Sequence, residues 1–176
     1  MSSFSELSRT ELDQVLLKRA IQVRLQSEDP KFGINPSSGV GAVIFANGQI
    51  LSESANRLPP RLSKTIALTD VDDERRYTHI EHAERAAIFF ALNNKEKLDG
   101  ATMYCTRFPC SDCARAISFS GIQRLVVAEG FGGEKRWIDE QRAALDVLRN
   151  SGVTVRYLTS LMYDSDTHHI APTLRR

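Results

Sequence analysis

Two of the chain's three cysteines stand three residues apart, in Pro109-Cys110-Ser111-Asp112-Cys113, and His82-Ala83-Glu84 lies upstream of them. If Cys110 and Cys113 share the first turn of a helix, their side chains point the same way. A helix N-terminus stabilises thiolate, the form that binds metal. One imidazole from His82 and two thiolates make a donor set that suits Zn²⁺. Three protein ligands leave a fourth position for water, whose pKa zinc lowers toward neutrality. Glu84 would stand beside that water without ligating the metal and move protons. A purely structural zinc site needs a fourth protein ligand, and His79, three residues before His82, is the candidate for it. A lone CxxC can also be redox-active, but the His-Ala-Glu partner argues against that use. Cys105, the remaining cysteine, reads as a small buried hydrophobe.

These residues need elements to bring them together. Residues 81–97 read as a helix, with Ala83, Ala86, Ala87, Phe90 and Leu92 mostly on one side. Residues 101–106 read as a strand and 111–121 as a helix ending at Gly121. Another strand (123–130), helix (135–152) and strand (153–159) follow. Upstream, residues 5–27 form a helical pattern, with Leu12, Val15, Leu16, Ala20 and Val23 at three- and four-residue steps. Ser8 and Glu11 fit a capping box at its start. Residues 29–39 are a loop by composition. Strands at 39–46 and 49–56 flank Asn47-Gly48, a hairpin turn. Residues 57–80 are read as a long loop with one helical turn, and long loops in compact domains are often functional.

Alternation of this kind predicts an α/β fold with a partly parallel sheet and helices on both faces. The helix starts bearing His82 and Cys110 would then meet at one end of the sheet, beside the carboxyl ends of its parallel strands, where α/β proteins bind ligands.

At 176 residues, 41% hydrophobic and 26% charged, the chain has the make-up of a globular domain. It reads as a single domain over 1–176, with a core at about 5–159 and a looser tail at 160–176 containing His168 and His169. An odd, sparse set of cysteines is no disulfide framework. The N-terminal stretch lacks a signal pattern and no apolar run approaches a bilayer span, so a cytoplasmic location with no membrane association is expected. A net charge of +1 argues against a large nucleic-acid footprint.

The pairing of His82-Ala83-Glu84 with Pro109-Cys110-Ser111-Asp112-Cys113 matches the H-x-E…P-C-x-x-C signature of the zinc nucleobase deaminases. The chain resembles the bacterial deoxycytidylate deaminases over roughly residues 10–158, through GVGAVIFANGQILSESAN, RRYTHIEHAERAAI and GATMYCTRFPCSDCARAISFSGIQRLVV. The resemblance implies a three-layer α-β-α cytidine-deaminase-like fold with a mixed five-stranded sheet. It implies zinc on His82, Cys110 and Cys113, with Glu84 protonating the ring and taking a proton from water. By the same analogy the backbone of Ala83 holds the base carbonyl and Asn56 bonds the sugar hydroxyl. Tyr104 and Phe108 lie near the motif and are candidates for the base pocket. The implied substrate is a small-molecule nucleotide, dCMP above all, and the implied assembly is a homo-oligomer. Phosphate contacts would come from among Arg57, Arg61, Lys64, Arg75 and Arg76, since bidentate arginine suits phosphate.

The chain departs from the family pattern at Ala86, where the family often has Asn, and in SANRLPP, where it tends to a Gly-rich turn. The alternatives are therefore deamination of another small ring (cytosine, a nucleoside, guanine or a pterin-like ring) or of tRNA adenosine, or a non-catalytic zinc-stabilised binding domain. Retention of Glu84 argues against the last.

Overall fold

The computed structural model describes residues 4–35, 38–129 and 135–158. Its sheet is built out from one hairpin. Asn47 (φ 52°) and Gly48 (φ 78°) both adopt the left-handed conformation that a tight two-residue turn demands. They join β1 (Gly41–Ala46) to β2 (Gln49–Ala55), paired antiparallel with a register shift between Ile44 and Phe45. On its other side β1 pairs antiparallel with β3 (Thr102–Arg107), which pairs in parallel with β4 (Arg124–Glu129), and β4 in parallel with β5 (Thr154–Tyr157). The order is β2-β1-β3-β4-β5, a mixed five-stranded sheet of the expected class.

Strand alternation sorts the core into two layers. Val43, Tyr104 and Val126 face α1 (Arg9–Arg24), which buries Leu16, Leu17, Ala20 and Val23 against them. Ala42, Ile44, Met103, Cys105, Leu125 and Val127 face the other way, in one cluster with residues of α4 (Ala83–Asn93), α5 (Ser111–Phe119) and α6 (Lys135–Asn150). Gly41 is where α1 comes closest to the sheet: a Cβ there would lie 2.0 Å from the Ala20 carbonyl oxygen. No helix among the described residues is long and apolar enough to cross a membrane.

Several expectations shift in detail. The first helix starts at Arg9, and a separate 3₁₀ turn covers Phe4–Glu6. The capping box is present, with Ser8 N–H donating to Glu11 Oε2 at 2.9 Å. The buried stripe of α1 runs through Leu17 rather than Val15, which is 43% exposed. On α4, Leu92 is exposed and Ile88 and Ala91 are buried instead. The long segment after β2 contains two turns, the 3₁₀ turn Leu62–Lys64 and α3 (Arg76–His79), and α2 (Lys31–Ile34) interrupts the earlier loop. Arg76 is 7% exposed and ties these two segments together. It donates to both oxygens of Asp29 at 2.8 and 3.1 Å and to the Val71 carbonyl at 2.8 Å. His168, His169 and the rest of the expected tail lie outside the described residues.

The α1 layer holds a buried ion cluster. Asp13 is fully buried. Its Oδ1 accepts from Tyr104 Oη (3.0 Å) and Arg124 Nη1 (2.7 Å), and its Oδ2 from Arg124 Nη2 (2.6 Å) and Arg156 Nη1 (3.0 Å). Burial pushes the Asp13 carboxyl up, but hydrogen bonds and charge from Arg124, Tyr104 and Arg156 outweigh it and hold the group below its ordinary value. A lowered folded-state pKa contributes stability that is present above the unfolded value, about 3.9, and is lost as pH falls through the folded value. Urea midpoints measured from pH 7 down to pH 3 should therefore drop more steeply for the native chain than for Asp13→Asn. Asp13→Ala, which strands Arg124, should cost about 3–5 kcal/mol at neutral pH.

Candidate functional site

His82 and Cys110 are the N-cap residues of α4 and α5. Both have extended backbone, with ψ of 147° and 173°, which turns their side chains toward the space in front of the helices. Cys113 lies one turn into α5, on the same side as Cys110. The result is a group in which the donor atoms of His82, Cys110 and Cys113 all lie within 4.8 Å of one another. His82 Nδ1 is 3.5 Å from Cys110 Sγ and 3.4 Å from Cys113 Sγ. Tetrahedral zinc with bonds of about 2.3 Å to sulfur and about 2.0 Å to nitrogen separates these atoms by about 3.5 Å. The donor set and its spacing therefore fit zinc, with three protein ligands. His79, the candidate fourth, is not in the group; its Nδ1 lies 2.8 Å from Thr78 Oγ1.

Donors this close compete for protons. The Cys110 hydrogen bond raises His82 to about 9. Cys110 is lowered to about 4, first by its hydrogen bond with Cys113 and then by His82. Cys113, the buried partner in that bond, goes up.

Glu84, in the first turn of α4, is 3% exposed. Its Oε2 is buried with no hydrogen-bond partner among the described residues. Burial pushes its carboxyl up, opposed by the charge of His82. An ionisable oxygen left buried without a partner costs stability, commonly about 1–3 kcal/mol. Cys105 lies beneath, fully buried, its thiol raised by burial and then by Glu84's charge. That makes it inert, as expected of a core thiol.

Ala83 is the first residue of α4, fully buried, and its N–H belongs to the first-turn donors that helix geometry leaves without an intrahelical partner. Asn56 follows β2, at the same end of the sheet as the end of β3. Its Oδ1 accepts from Val40 N–H at 2.7 Å, which leaves its amide nitrogen as a donor. Phe108 is 3% exposed in the core cluster shared with α4 and α5, and stacks on Tyr157 with ring centroids 6.0 Å apart. Tyr104 is a correction. It points to the opposite face of the sheet, against α1, and its hydroxyl is spent on Asp13. Strand parity decides this: the residue next to inward-facing Cys105 must face away.

Sequence reasoning missed Glu81 and Arg85. Glu81 Oε1 accepts from the His82 N–H at 2.9 Å and from Arg85 Nε at 2.6 Å. The only sequence sign was an acid and a base four apart across the start of a helix.

The family model for the cytidine and deoxycytidylate deaminase zinc-binding region matches residues 10–129. The chain is 44% identical over 89 residues to the deoxycytidylate deaminase of Enterobacteria phage T4, covering 47% of this chain and 43% of the phage protein. It is 34% identical over 126 residues to an uncharacterised deaminase of Aliivibrio fischeri, covering 70% of this chain and 82% of that one. The chain spans about half the length of the phage T2 and T4 relatives it matches. In structure it resembles the dCMP deaminase of cyanophage S-TIM5, solved with dCMP and dUMP, with a TM-score of 0.65 at 24% identity, covering 86% of this chain and all of the other. The zinc-spaced donor group and the match across most of the chain agree: this protein belongs to the cytidine and deoxycytidylate deaminase zinc-binding family.

Proposed function

We propose that the protein is a zinc-dependent hydrolytic deaminase of a cytosine nucleotide, converting dCMP and water to dUMP and ammonia. The observation that carries this reading is a three-donor group spaced for zinc beside Glu84, a buried carboxylate with an unsatisfied oxygen. His82, Cys110 and Cys113 hold the metal. Bound zinc supplies a Lewis acid that makes water nucleophilic near neutral pH. Glu84 takes one proton from the attacking water and delivers it to ring N3, then relays the second proton of that water to the amino group at C4, which departs as ammonia while C4 keeps the oxygen as a carbonyl. The Ala83 N–H donates to the base carbonyl, and the Asn56 amide faces the sugar hydroxyl. Phe108 supports the pocket wall from the core. A cytoplasmic location and a homo-oligomeric state go with this reading and rest on the family resemblance.

The test is ultraviolet-monitored deamination of dCMP, CMP, deoxycytidine, cytidine, cytosine and guanine by zinc-loaded protein, with Glu84→Ala as the blank. Turnover of dCMP well above deoxycytidine is expected. A folded, zinc-containing protein that leaves dCMP untouched would overturn the reading.

Ion pairing narrows the phosphate contacts. Arg76 is held by Asp29 in a near-buried pair, Arg75 pairs with Asp73 at the surface, and Arg57 pairs with Glu28 through Nη2 while its buried Nε has no partner among the described residues. Arg61 and Lys64, exposed around the turn Leu62–Lys64, have no ion-pair partner among the described residues. A charge-assisted phosphate contact contributes about 1.5–3 kcal/mol, so losing one raises KM by about tenfold or more. Arg61→Ala and Lys64→Ala, assayed separately, should include at least one variant that raises KM for dCMP by that factor and leaves deoxycytidine unchanged. If neither does, both side chains are excluded as phosphate ligands.

A further inference from the structure

We infer that Glu81 and Arg85 form a clamp that positions His82 and sets its distance from the two cysteines, making them positioning residues for the metal site. The inference rests on the assignment of His82, Cys110 and Cys113 as zinc ligands.

A metal-ligating histidine is usually aimed by a hydrogen bond from its second ring nitrogen. Here Nδ1 faces the sulfurs. The ring is also aimed through its backbone, and the backbone N–H of His82 is held by Glu81. The Glu81 side chain accepts the His82 N–H (2.9 Å), while its main chain forms an antiparallel bridge with Arg57: its N–H donates to the Arg57 carbonyl (2.8 Å) and its carbonyl accepts the Arg57 N–H (3.1 Å). The turn before α4 is thereby stitched to the chain just beyond Asn56.

Arg85 completes the clamp. A cation in the first turn of a helix opposes the macrodipole and needs a compensating partner. Arg85 has two. It is bound to Glu81 through Nε (2.6 Å) and Nη2, and its Nη1 lies 3.6 Å from Asp112 Oδ2, beside Cys113 on α5. The Asp112 leg is the weaker one, since Asp112 is half exposed and shared with Arg115. One guanidinium thus spans the start of the histidine helix and the start of the cysteine helix. Glu81 and Arg85 are both less than a third exposed, so solvent does not fully dissolve the link.

The test is metal retention, independent of substrate. Zinc-loaded Glu81→Ala, Glu81→Gln, Arg85→Ala and Arg85→Lys are challenged with a chelator, and their cobalt-substituted forms are examined for the d–d absorption of a tetrahedral nitrogen–sulfur site. Arg19→Ala, which breaks the ion pair with Glu53, is the control for simple charge loss. Glu81→Ala and Arg85→Ala should lose zinc about 10- to 100-fold faster than the control and show a shifted cobalt band. Arg85→Lys should recover much of the retention. Glu81→Gln, which keeps an acceptor for the His82 N–H, should lie between, and it decides the matter if Glu81→Ala fails to fold. Zinc release and cobalt spectra matching the control in the Glu81 and Arg85 variants would overturn the clamp, whether or not dCMP proves to be the substrate.

Discussion

Glu84→Ala should lose turnover of dCMP by on the order of 1,000-fold or more while binding zinc at the wild-type stoichiometry. Positioned proton transfer contributes about 10²–10⁴-fold, and in the proposed reaction Glu84 moves the proton from water to ring. Its place in the first turn of α4 and its 3% exposure mean that no bulk water can substitute readily. Zinc should stay because Glu84 is outside the donor group of His82, Cys110 and Cys113. Glu84→Gln sharpens the point: Oε2 has no partner to lose, so this variant should melt close to the native chain while remaining inactive. Metal analysis, a thermal scan and the dCMP assay on the same preparations check all three statements. Appreciable activity in Glu84→Ala would remove Glu84 from the mechanism.

Cys113→Ser should abolish activity by a different route, through the metal. Cys113 is fully buried, and its sulfur is 3.4 Å from His82 Nδ1. Serine keeps the size but offers a hydroxyl that does not ionise near neutral pH, whereas zinc binds thiolate. Zinc affinity should fall by at least about 100-fold, since even outer partners of a ligand are worth 10–100-fold. The fold should feel it too. Zinc at a thousand times its dissociation constant adds about 4.1 kcal/mol of stability. Native protein should therefore melt higher with zinc than after chelation, and Cys113→Ser should melt alike in both. A variant that keeps native zinc affinity would exclude Cys113 as a ligand. The contrast with Glu84→Ala is what separates chemistry from metal holding: one keeps zinc and loses turnover, the other loses both.

The metal motif was legible because it is local. Cys110 and Cys113 are three apart across the start of one helix, and His82 and Glu84 are two apart across the start of another, so a helix start with its extended N-cap residue is enough to set their directions. The hairpin at Asn47-Gly48 and the capping box at Ser8 were legible for the same reason, each being a backbone requirement written into adjacent residues. Alternating strands and helices then left few ways to arrange the sheet.

What only the tertiary structure decided are relations between distant residues. Tyr104 is close in sequence to the motif, yet strand parity sends it to the α1 face, where Asp13, Arg124 and Arg156 converge from three separate elements. Nothing within α1 foretells that Asp13 is buried, because its partners are 91 to 143 residues away. The cations of the 57–76 segment looked equivalent until Glu28, Asp29 and Asp73 were found to hold three of them. The sequence by itself determined which atoms could bind zinc and move a proton, because those capacities are set by residue type and short-range geometry. The tertiary structure alone decided their mutual distances, which charges are already spent and which carboxylate is left unsatisfied, because these depend on contacts that only folding makes.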